Sequence, residues 1–174
     1  MFEKKIKNDG SIFFGNLKPL QIDEEKVKCD FLESYYFKEK NFSLENFYDL
    51  SLSDDSNYSH IFTLLKERFY CSFNKKIFFN SMWGNIFHFN EGSQKRNNLK
   101  YGCSYTAIIC IDKKEKNCSL VFNYDDISKK DLLNEFNFEK MCYVFFPSNL
   151  NYFFIKNKNE KPCFYLTINF NCND

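Results

Sequence analysis

Between residues 163 and 170, large apolar side chains recur at every second position: Phe164, Leu166, Ile168 and Phe170. Tyr165, Thr167 and Asn169 fall on the other side. A period of two fits an extended strand, whose successive side chains point to opposite faces. The same β-prone character runs back through the chain. Residues 141–146 read as a buried strand stopped by Pro147, 105–111 and 119–124 as two more, and 152–155 as a short one. Ile77-Phe-Phe79, Met82-Trp83 and Ile86-Phe-His-Phe89 are three further aromatic runs. Short strands at regular spacing, with few helical signals among them, predict a sandwich or jelly roll.

The first part of the chain is different. Ser11-Ile-Phe-Phe14 reads as a first short strand closed by Gly15, and a weak helical pattern follows Asp23. Another helix is predicted to start at Ser43 and to carry Leu44, Phe47 and Tyr48. The clearest helix spans 59–71, where Ile61, Leu64, Leu65 and Phe69 share one face. Residues 125–137 read as a polar insert. The expected organisation is one domain over 1–174, with a strand and helices in 1–74 and the barrel core in 75–174. By content it is α+β, mostly β.

Composition narrows the function. Twenty-four basic residues against 23 acidic ones leave a net charge of +1, so the expectation is no nucleic-acid and no membrane-surface partner. The only arginines are Arg68 and Arg96; the remaining positive charge is lysine, which lacks the bidentate fork suited to phosphate and carboxylate. Aromatic residues make up 20% of the chain and Ala107 is the sole alanine, so bulky β-formers fill the core. The eight cysteines include no CxxC pair, which argues against a structural zinc site. The opening Met1-Phe2-Glu3-Lys4-Lys5 resembles no signal peptide and no apolar run reaches spanning length. Reduced cysteines and a cytoplasmic location, or a virion if the source is a phage, are the resulting expectation.

Trp83-Gly-Asn-Ile followed by Glu91-Gly92, then Tyr105-Thr-Ala-Ile-Ile, Ser119-Leu-Val-Phe, Val144-Phe-Phe-Pro-Ser-Asn-Leu150 and Leu166-Thr-Ile-Asn-Phe170 form an ordered set of landmarks. In that order they resemble the compact phage and bacterial branch of the 2-oxoglutarate/Fe(II) oxygenases, with the strand ending in Phe-Pro-Ser the most specific match. The resemblance implies a double-stranded β-helix (a cupin-like jelly roll) with N-terminal helices packed on the barrel. It also implies a His-x-Asp or His-x-His pair and a distal His holding iron, with further positions left open. Counted from Gly92, the first pair falls on Asn98 and Lys100; counted from Phe-Pro-Ser, the distal ligand falls on Tyr152. The arginine that grips 2-oxoglutarate in the family falls near Cys163. These four are the former ligand-pocket positions, and none is a ligand of the required kind. Neither arginine lies near the closing strands in sequence.

The expected reading is therefore a non-catalytic jelly roll with no metal and no cofactor, kept as a binding or assembly module. Its partner would be another protein or a second copy. The alternative is an active hydroxylase with displaced ligands, and a third reading is a metal-free lyase or isomerase of cupin type. Lys100 could replace the lost cation, although a solvated loop lysine is the plainer reading. Tyr152 and Cys163 could form a small polar or redox site, or simply fill a vacated cavity. His88 reads as structural, His60 as an exposed helix residue, and Asp125-Asp126 as a solvated turn.

Overall fold

A computed structural model describes residues 2–4, 12–17, 22–38, 48–49, 56–113, 118–124, 132–136 and 139–173. Its elements follow as β1 (Phe2–Lys4), β2 (Ile12–Asn16), α1 (Glu24–Lys38), β3 (Tyr48–Asp49) and α2 (Ser56–Phe73), and then a series of strands with one short 3-10 turn among the described residues. These are β4 (Ile77–Phe87), β5 (Tyr105–Asp112), β6 (Leu120–Tyr124), β7 (Leu132–Phe136), β8 (Cys142–Pro147), β9 (Asn151–Phe154) and β10 (Cys163–Cys172). Seven strands form one sheet in the order β1-β2-β8-β5-β10-β4-β3, and three form a second in the order β7-β6-β9. The described pairings between strands are antiparallel. The architecture is mostly β, of jelly-roll type, with two helices.

α1 begins just after Asp23, where the sequence placed a helical pattern, and α2 extends beyond the expected 59–71 at both ends. Asp23 caps α1, its Oδ1 accepting the Lys26 amide at 3.1 Å. Asn74 ends α2 in the left-handed region (φ 54°), its amide donating to the Tyr70 carbonyl at 2.8 Å. The apolar faces of the two helices lie on the large sheet. Val27 and Phe31 of α1, with Ile61, Leu65 and Phe69 of α2, join Ile86, Ile109, Phe145, Leu166, Ile168 and Phe170 in one core. Lys28 adds a polar tie from α1 to β5, bonding Asp112 at 3.2 Å and Glu24 at 3.1 Å. Gly84 leaves room for this docking, since a Cβ there would stand 2.8 Å from the Phe31 ring.

A second core lies between the sheets. Ile108, Val144, Phe146 and Tyr165 of the large sheet meet Leu120, Phe122, Tyr152 and Phe154 of the small one. Their rings pack at edges and tilts, with Phe122–Phe146 centroids 4.9 Å apart and Phe154–Tyr165 4.6 Å. No described helix is long and apolar enough to cross a membrane.

Several expectations need correction. The three aromatic runs from Ile77 to Phe89 are one strand, β4, through Phe87, because β10 pairs with it over its whole length. The polar insert 125–137 contains β7, which pairs with β6. Most of the helix expected from Ser43 falls outside the described residues, and its Tyr48 lies in β3. Phe164, Leu166, Ile168 and Phe170 of β10 are buried as expected, and Tyr165, Thr167 and Asn169 on its other side are equally buried.

Candidate functional site

Polar side chains gather at one end of the space between the sheets. Asn98 precedes a short 3-10 turn, Leu99–Tyr101, and is 1% exposed. Its backbone amide donates to the Ser148 carbonyl at 2.8 Å, which fixes the turn against the Phe-Pro-Ser segment. From there its Nδ2 donates to Thr106 Oγ1 at 3.0 Å and to Asn169 Oδ1 at 3.1 Å. Tyr152, wholly buried, donates its hydroxyl to Asn98 Oδ1 at 3.2 Å.

The chain of bonds continues on both sides. Thr106 donates to Asn169 Oδ1 at 2.9 Å and lies 3.1 Å from the Ser148 hydroxyl. The Cys103 thiol donates to that same Ser148 oxygen at 3.1 Å, and Asn169 Nδ2 donates to Ser81 at 3.2 Å. Asn98, Tyr152, Thr106, Asn169 and Ser148 thus spend their polar atoms largely on one another. Buried polar groups hold their place only when paired in this way.

Arg96 borders this network. Its backbone pairs with that of Tyr152 in both directions, at 2.9 and 2.8 Å. Its guanidinium lies 5.5 Å from the Tyr152 ring centre and donates to Asn85 Oδ1 at 3.1 Å. Asn85 in turn donates to Thr167 of β10 at 2.9 Å. Burial pushes the Tyr152 hydroxyl above its ordinary pKa, against the opposing pull of the Arg96 charge and of its side-chain hydrogen bonding with Asn98 and Arg96.

The four pocket positions fare differently. Asn98 and Tyr152, 54 positions apart, are hydrogen-bonded. Lys100 is not with them: it is exposed, with Nζ 5.1 Å from the Tyr101 ring centre. The cation near the Tyr152 ring is Arg96, which lies distant in sequence from the closing strands but is brought to them by its bridge to β9. Cys163 is buried between the sheets, yet it stands six positions from Asn169 along β10, about 20 Å of strand. It belongs to the opposite end, with Cys110 and Cys118. His88 follows β4, half-buried, its amide donating to Glu91 Oε2 at 2.8 Å. His60 is exposed on α2, and Asp125-Asp126 lie outside the described residues.

An iron centre of the expected kind needs imidazole and carboxylate donors converging on one point. The network offers amides, hydroxyls and a phenol, already bonded among themselves. Among the described residues, no group of three or more His, Cys, Asp or Glu side chains comes together to hold a metal. This donor set does not fit a facial triad.

The fold is similar to that of solved 2-oxoglutarate/Fe(II) oxygenase structures. Three solved structures carry the likeness. One is a 2OG-Fe(II) oxygenase family oxidoreductase from Burkholderia pseudomallei (TM-score 0.58, 10% identity, 70% of this chain and 59% of that one). The second is the non-heme alpha ketoglutarate dependent epimerase SnoN from nogalamycin biosynthesis (TM-score 0.69, 8% identity, 92% and 76%). The third is the viral collagen prolyl hydroxylase of Paramecium Bursaria Chlorella virus-1 in its 2OG complex (TM-score 0.62, 6% identity, 90% and 94%). This chain thus spans about three fifths of the first protein and most of the other two. No family model matches the sequence, and no curated protein does. At such identities the likeness establishes the fold, and fold alone leaves function open.

Proposed function

We propose that this chain is a double-stranded β-helix of the oxygenase type that does not bind iron or 2-oxoglutarate and acts as a binding or assembly module. The observation that supports this reading is the Asn98–Tyr152 hydrogen bond at 3.2 Å, inside a neutral buried network, at the positions where the resemblance puts two iron ligands. Ferrous iron at that place would have to displace these bonds and would gain only weak neutral donors in return. The partner is a protein or a second copy of the chain, with a role in a virion among the uses that jelly rolls support. Exposed Tyr70, Phe78, Phe79, Phe89 and Leu99 supply apolar contact area for it.

Anaerobic calorimetry with ferrous iron and 2-oxoglutarate tests the reading, together with an assay for 2-oxoglutarate decarboxylation. No stoichiometric binding and no turnover are expected. One equivalent of iron bound with micromolar affinity would overturn it in favour of an active hydroxylase using other ligands.

A further inference from the structure

We draw no further inference here: the strongest candidate, the outer edge of β4 where exposed Phe78 and Phe79 stand beside Phe62 of α2, is met by β3 at Trp83 and Gly84 alone among the described residues, and nothing in the structure shows what covers the rest of it.

Discussion

A double-mutant cycle on Asn98 and Tyr152 reads the closed amide network directly. Tyr152→Phe removes a single oxygen from a fully buried ring and leaves the packing against Phe146 and Phe154 in place. It strands the Asn98 Oδ1 acceptor, 3.2 Å from the lost hydroxyl. An unpaired buried amide oxygen costs about 1–2 kcal/mol. Asn98→Ala deletes the two bonds that Nδ2 donates and the one that Oδ1 accepts. Three neutral hydrogen bonds at about 1 kcal/mol each, plus a small cavity, give about 3–4 kcal/mol. Since the two side chains share one bond, the double variant should lose about 1 kcal/mol less than the sum. With a urea slope of about 2 kcal/mol/M, that coupling is about 0.5 M in the unfolding midpoint. Losses that add within about 0.3 kcal/mol would refute the shared bond.

Ile168→Ala, in the centre of β10 and wholly buried against both helices, should cost about 2–5 kcal/mol by chemical denaturation; a loss below half a kcal/mol would mean that face is not core. Gly84→Ala should destabilise by about 1–3 kcal/mol through the Phe31 contact, and Phe31→Leu in the same chain should recover part of that loss. Stability should fall as pH rises above about 9 and further above about 10, because buried Cys103 and Cys110 and then Tyr152 and Tyr165 have raised pKa values when folded. The unfolded chain then gives up these protons first, so alkali favours it. Urea midpoints at pH 8 and pH 10 measure the effect, and Tyr165→Phe should reduce the alkaline part of the slope.

The barrel strands were legible because their apolar residues leave little choice. Residues 105–111 and 141–146 are long enough runs of β-formers to fix a strand whatever their neighbours do. β7 was not legible, since Leu132-Leu-Asn-Glu-Phe136 has no β-branched residue and sits at the edge of a sheet, paired only with β6 among the described strands. β4 looked broken at Asn80-Ser81 and at Gly84-Asn85. Its glycine makes room for Phe31 and its Asn85 serves the buried network, so both interruptions are answered from other parts of the chain. The meeting of Asn98 with Tyr152 was readable by counting from Gly92 and from Phe-Pro-Ser. Thr106 and Asn169 were missed because isolated polar residues in strands look like a solvent face until a second sheet covers them, and Ser148 because it lies in the turn after β8. Arg96 was passed over because its partners lie on β4 and β9, whereas Lys100 stood at the counted position and is exposed, in line with its plainer reading as a solvated loop lysine.

The position of β10 has a consequence for how the chain is made. It is the last of the described strands in sequence, yet it lies between β4 and β5 in the large sheet. During synthesis, β5, β8, β2 and β1 can assemble on one side and β4 with β3 on the other, but the two halves have no strand joining them. Until residues 163–172 emerge from the ribosome, two apolar strand edges stay open side by side, available to a neighbouring nascent chain. A chain stalled or cleaved before that strand would be an aggregation-prone pair of half-sheets, so proteolytic quality control has one short segment to inspect.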